Sequence, residues 1–177
     1  MRACILSTAR LEPHDAPASA RKTEPPIAPL FGRSGFPYGS LYTREPMKNI
    51  AVEYRHNFPL DPADVVRVFD HSGIKRPTGE LPRIARMFAA PCLLLSAWVD
   101  GELVGLARSL TDHAYCCYLS DLAVDRHYQG LGIGKELVKR TQAIIGDEVS
   151  LILLSAPDAM SYYPTLGFQL AGNAYVI

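Results

Sequence analysis

The chain has 177 residues, with 18 Lys+Arg balanced by 18 Asp+Glu, and is 48% hydrophobic and 20% charged. That length fits one domain with a short extension, and zero formal charge leaves no footprint for nucleic acid or an anionic membrane surface. No stretch approaches the 18 or so apolar residues that span a bilayer: the runs at residues 92–95 and 151–154 are soon interrupted by Ser96 and Ser155. The four cysteines, Cys4, Cys92, Cys116 and Cys117, have no CxxC spacing. A zinc ribbon or a dithiol redox site is therefore not expected, and the thiols read as reduced, in the cytoplasm.

Seven of the 14 prolines fall in residues 1–46, together with Gly32, Gly35 and Gly39 and without apolar periodicity. This stretch reads as a Pro-rich tail, disordered or loosely attached, ahead of a domain over residues 47–177. Residues 1–6 lack the apolar run of a secretory signal. Arg2, Arg10 and Arg21 give a weak transit-peptide bias. Met47, just before the first structured pattern, is a candidate native start.

From Met47 the elements alternate. Residues 49–54 alternate apolar and polar side chains, as a half-buried strand does. Asp61 is an N-cap residue type with Pro62 at the first helical position, so a helix carrying Val65, Val66, Val68 and Phe69 is expected to end near Gly73. A second helix is expected over residues 80–89, with Leu81, Ile84, Met87 and Phe88 on one face. Residues 92–99 and 102–110 flank Asp100-Gly101, the signature of a type I′ hairpin. A strand over 114–124, a helix over 134–145 with Ile133, Leu137, Thr141 and Ile144 on its inner face, and a buried strand over 149–155 follow. A short helix over 158–166, awkward at Pro164, leads to a closing strand pair at 168–170 and 174–177. The order β-α-α-β-β-β-α-β-α-β-β is an α/β sheet of mixed strand directions.

The chemistry concentrates in Leu122-Ala-Val-Asp-Arg-His-Tyr-Gln-Gly-Leu-Gly-Ile-Gly-Lys-Glu-Leu137. A strand ends, a turn follows, and a loop with Gly130, Gly132 and Gly134 opens a helix. Loop amides at a helix N-terminus favour an anion, a phosphate or pyrophosphate being the natural guest, and Lys135 adds a cation. A Walker loop is excluded, because Gln129 stands where its first glycine belongs and Glu136 where Ser or Thr belongs. The G-x-G-x-x-G fingerprint fails in either register, at Lys135 or Leu137. A structural turn without a ligand stays open on these residues alone.

The loop Gln129-x-x-Gly132-x-Gly134, preceded by Asp121-Leu-Ala-Val-Asp125 and followed by Tyr162-Tyr-Pro-Thr-Leu-Gly-Phe168, resembles the GNAT superfamily of N-acetyltransferases. The first matches that family's [RQ]-x-x-G-x-[GA] loop, the second its Phe-Tyr-x-x-x-Gly-Phe pattern apart from Tyr162, and the hairpin from Val99 to Ala107 is similar to its second and third strands. The resemblance covers residues 49–177. It implies a GNAT-like α/β fold, a mixed, mostly antiparallel twisted sheet flanked by helices. It also implies acetyl-coenzyme A as co-substrate, with no metal. The backbone of Leu122, Ala123 and Val124 would pair with the pantetheine arm, and the Leu122 amide would stabilise the oxyanion. Gln129, Gly130, Leu131, Gly132, Ile133, Gly134 and Lys135 would hold the pyrophosphate through their amides. Tyr163 takes the general-acid position and Tyr162 a packing position.

Departures from the pattern are Ala156, where an Asn often contacts coenzyme A, and Tyr118 and Ser120, where some members carry a Glu or His base. Asp121 reads as a structural hydrogen bonder. Arg108 and Asp112, after the third strand, are candidates to line an acceptor site but read first as surface charges, as do Lys139 and Arg140, and His113 and His127 read as turn residues. The five histidines, His14, His56, His71, His113 and His127, are too scattered along the chain to suggest a metal site. The expectation is an acyltransferase acting by direct attack in a ternary complex on a primary amine of a small molecule, peptide or protein, with no nucleic-acid or membrane partner and a possible homodimer. The alternative is a non-catalytic acyl-coenzyme A sensor on the same fold.

Overall fold

The computed structural model describes residues 50–177; the Pro-rich stretch at 1–46 and the proposed start at Met47 lie outside the described residues. The chain runs β1 (Glu53–His56), α1 (Pro62–Ser72), α2 (Leu81–Ala89), β2 (Leu93–Val99), β3 (Glu102–Thr111), β4 (Cys116–Val124), α3 (Ile133–Ile145) and β5 (Ser150–Ile152), with short 3₁₀ turns over Arg126–Tyr128, Pro157–Ala159 and Tyr163–Leu166. One sheet has the order β1-β2-β3-β4-β5. Its first three pairings are antiparallel and β4–β5 is parallel, as a crossover through α3 requires.

Local chemistry explains most boundaries. The Asp61 carboxylate accepts from the Ala63 amide at 2.8 Å, and α1 stops at Gly73. Asp100 and Gly101 both have positive φ, 50° and 82°, as the type I′ hairpin between β2 and β3 demands. The sheet is covered on both faces. Leu95, Ala97, Val104, Ala107 and Leu119 pack under Ile133, Leu137 and Val138 of α3. On the other face Trp98, Leu103, Leu106 and Ala123 meet Val65, Val68 and Phe69 of α1 and Ile84 of α2. A fully buried aliphatic or Phe side chain contributes about 1.5–3 kcal/mol, so these two layers hold the sheet rigid beneath the site.

Five expectations shift. The first strand begins at Glu53 rather than 49. Leu81 is exposed, so Ile84 anchors α2. Ile145, not Ile144, completes the inner face of α3. The helix over 158–166 resolves into two 3₁₀ turns, because Pro164 has no N–H to continue a ladder. The closing strands at 168–170 and 174–177 do not form; Leu170, Tyr175 and Val176 stay exposed. Arms of three and four residues make a marginal hairpin without a face to bury.

Candidate functional site

The site is built where the sheet comes apart. Strand β5 pairs with β4 only at Cys116, Cys117 and Tyr118, so the expected strand over 149–155 is three residues long and Leu154 turns outward. Just beyond, β4 carries an extra residue. Arg108 lies opposite Asp121 but Ser109 opposite Leu119, which leaves Ser120 as a bulge; a bulge bends a strand and raises its twist. The Asp125 amide donates to Val104 of β3 at 2.9 Å, so by alternation Ala123 also turns its backbone to β3 while Leu122 and Val124 face the open side.

After β4 the Asp125 side chain caps the turn at Arg126–Tyr128. The Gln129 amide group then donates to the Val124 carbonyl at 2.9 Å, tying the strand end to the loop. Gly132 has φ 81° and serves as N-cap of α3 without a side-chain cap, so the first-turn amides of Ile133, Gly134 and Lys135 keep their hydrogens for a guest. The Tyr162 hydroxyl lies close over Gly134: a Cβ there would stand 2.8 Å from it, so the Tyr162 side chain would have to shift to admit one.

Two cavities meet at this edge. One, of about 720 Å³, is lined by Leu122, Val124, the glycines of the loop, Lys135, Tyr162 and Tyr163. The other, of about 620 Å³, is lined by the segment after α1 (Gly73, Ile74, Lys75, Arg76), by Leu119 and Ser120, and by residues 154–159. Leu122, Val124, Gln129, Ala159 and Tyr163 line both. Both volumes suit small-molecule sites.

Of the sequence-predicted residues, Leu122, Val124, Gln129, Gly130, Gly132, Ile133, Gly134, Lys135 and Tyr163 converge on the first cavity. Ala123 is buried on the α1 face and Leu131 points to solvent, so neither lines it. Tyr163 packs edge-on between Tyr162 and Phe168, at 5.6 and 5.7 Å between ring centres. Burial pushes its phenol pKa up, with the neighbouring Tyr162 adding to the effect, so it stays protonated at neutral pH. Burial raises Tyr162 as well. That residue, expected to be packing only, places its hydroxyl over the start of α3.

Charges beside the second cavity correct the sequence reading. Arg108 is not a surface charge: it is 6% exposed and donates to Asp121, itself fully buried. Arg76 donates to the other oxygen of Asp121 and to the Ser120 carbonyl, and Arg108 reaches the Ser120 hydroxyl. Asp121 is therefore structural, as expected, and lines neither cavity. An arginine inside the apolar run of β3 was the signal for this buried triad. Asp112 is likewise structural; the amides of Tyr115, Ala114 and Cys116 hold its carboxyl down to about 2. Among the described residues, Asp158 is the carboxylate lining the second cavity; nothing in the sequence singled it out. The histidines are less scattered than the sequence suggests, since His71 and His127 both meet Asp125.

A model of the acetyltransferase (GNAT) family matches residues 59–168. The chloroplastic GCN5-related N-acetyltransferase 2 of Arabidopsis thaliana is 37% identical over 72 residues, covering 40% of this chain and 28% of that one. The chain thus spans about a quarter of that relative's length. A GNAT-family acetyltransferase structure from Streptococcus pneumoniae superposes with a TM-score of 0.57 at 18% identity, covering 72% and 98% of the two chains. An aminoglycoside N-acetyltransferase in complex with CoA gives 0.56 at 15% identity, covering 74% and 96%. The splayed β4, the glycine loop that opens α3 and the family match over residues 59–168 agree: the chain belongs to the GNAT family of acetyltransferases.

Proposed function

We propose that this chain is an N-acetyltransferase that moves the acetyl group of acetyl-coenzyme A to a primary amine by direct attack within a ternary complex. The observation that carries the reading is the meeting of two cavities at the unpaired edge of β4, with Leu122 and Tyr163 lining both. One cavity suits the thioester donor and the other an acceptor, so that the amine and the acetyl carbon come together at that edge. The fit of the donor rests on the uncapped amides of α3 and on the glycines Gly130, Gly132 and Gly134, which line the first cavity.

In this reading the amides from Gln129 to Lys135 hold the pyrophosphate and Leu122 and Val124 hold the pantetheine arm; Ala123, turned to β3, does not take part. Acetyl-coenzyme A supplies the activated acyl group. The Leu122 amide faces the charge that develops on the acetyl oxygen, a donor worth about 10²–10³ in rate. Tyr163 keeps a proton on its hydroxyl for the departing thiolate, a role suited to a phenol whose pKa burial raises. The Tyr162 hydroxyl adds a donor at the cradle. The amine's proton leaves through water, with Asp158 the carboxylate on that wall.

Small molecules, peptides and proteins are all admissible acceptors, and the expected compartment is the cytoplasm; the plastid named for the Arabidopsis relative is the competing address. Thiol release from acetyl-coenzyme A across a panel of amines tests the reading. Acceptor-dependent release supports it. Tight acetyl-coenzyme A binding without release by any amine favours an acyl-coenzyme A sensor, for which the observation is that Tyr118 and Ser120 occupy the base positions and Ser120 is engaged by Arg108.

A further inference from the structure

Outside the cleft, one cluster of donor atoms is not used by the proposed reaction. His71, in the last turn of α1, points Nδ1 at Asp125 Oδ2 at 2.7 Å, and His127 points Nδ1 at Asp125 Oδ1 at 2.9 Å. The donor atoms of the three residues lie within 4.8 Å of one another. The carboxylate is 4% exposed, whereas the imidazoles are 43% and 59% exposed. The buried ligand is thus fixed, and the two rings form a rim open to solvent. Asp125 is itself anchored by the His127 amide at 2.9 Å. None of the three residues lines either cavity of the cleft.

We propose that His71, Asp125 and His127 form a binding site for one divalent transition-metal ion of the zinc class. Two imidazoles and a carboxylate are a donor set that zinc takes, with water completing a four-coordinate shell. Bonds of 2.0–2.2 Å at tetrahedral angles set ligand atoms about 3.3 Å apart, so the two His–Asp125 contacts open by about half an ångström as one carboxylate oxygen and both Nδ1 atoms turn to the metal. Each neutral imidazole then carries its proton on Nε2 instead of Nδ1, facing solvent. Nearby cations set the affinity. Arg67 stands 4.0 Å from Asp125 but is engaged by Glu102 and the Leu103 carbonyl. Arg126 is engaged by the carbonyls of His71 and Asp70. The bound ion would lock the end of α1 to the turn after β4, next to the Gln129 clamp on Val124. It is a brace, and it leaves the acetyl-transfer groups untouched.

The test uses the full chain, free of any histidine tag and stripped with chelator. Co²⁺ titration followed by visible absorption and Zn²⁺ titration calorimetry are run on the wild type, His71→Ala, His127→Ala, the double variant and His113→Ala. The expected result is one ion per chain, a melting temperature raised by Zn²⁺, and affinity lower by at least about tenfold in each single variant, with His113→Ala unchanged. Absence of saturable binding to the wild type overturns the proposal. So does equal affinity in the double variant, which would place the ion elsewhere. His113 and His127 are exposed and His71 is half-buried, and the variants' melting curves without metal show that they fold.

Discussion

The two halves of β4 have the same backbone and different fates. Around Cys116, Cys117 and Tyr118 the strand is paired on both sides, to β3 and to β5. Around Leu122 and Val124 it is paired on one side only, because Ser120 bulges and β5 ends at Ile152. A peptide group inside the sheet spends its hydrogen bonds on the fold. One at an unfinished edge keeps them for a ligand, and an added strand is the natural guest. The site thus arises where regular pairing stops, and the rest of the sheet holds that gap open.

The sharpest way to break this contrast is to block the open half. Gly134→Glu puts a side chain against the Tyr162 hydroxyl and a negative charge at the start of α3. Acetyl-coenzyme A binding should vanish in calorimetry while circular dichroism stays native; unchanged affinity would mean that the ligand lies elsewhere.

Removing the support beneath the bulge comes next. Asp121→Ala leaves Arg108 buried with its charge uncompensated, a change that costs about 3–5 kcal/mol in comparable buried pairs. Urea unfolding should show that loss. Full stability combined with lost turnover would instead make Asp121 a participant in the reaction.

Tyr163→Phe keeps the ring between Tyr162 and Phe168 and removes only the donor. Turnover should fall by about 10²–10⁴ with acetyl-coenzyme A affinity retained, since a proton donor to the leaving thiolate acts in the transition state. For the wild type, the raised phenol pKa keeps the acid form dominant past the ordinary value. Any alkaline decline in kcat due to Tyr163 should therefore lie above pH 10. A decline near neutrality that disappears in Tyr163→Phe would contradict burial as the cause.

The smallest effect is expected at Tyr162. Tyr162→Phe should raise KM for acetyl-coenzyme A a few-fold and leave kcat nearly intact, because its hydroxyl faces the cradle and not the edge. Equal, small effects of Tyr162→Phe and Tyr163→Phe would show that the two rings act only by packing.

Much of this was legible in the chain. Asp61-Pro62 and Gly73 bounded α1, Asp100-Gly101 set the hairpin, and the three glycines before Lys135 marked the loop, because each depends on a backbone conformation that one or two residues dictate. The edge residues Leu122 and Val124 followed from resemblance, and Ala123 was carried along with them; only the register with β3 separates the three. That the Leu131 side chain turns to solvent was equally illegible, since a bend between two positive-φ glycines gives no periodicity from which to tell the inward side.

Local chemistry, read from the sequence, determined the three helices, the hairpin and the glycine loop that opens α3. The tertiary structure alone decided what depends on distant residues. It ended β5 after three residues, left the closing strands unformed, buried Arg108 on Asp121 with Arg76 from 45 positions away, and brought His71 to Asp125 across 54. Turn and cap preferences are set by neighbours in sequence. Strand pairing, charge burial and side-chain clusters are set by whichever surfaces the packed layers bring together, and no local pattern records that.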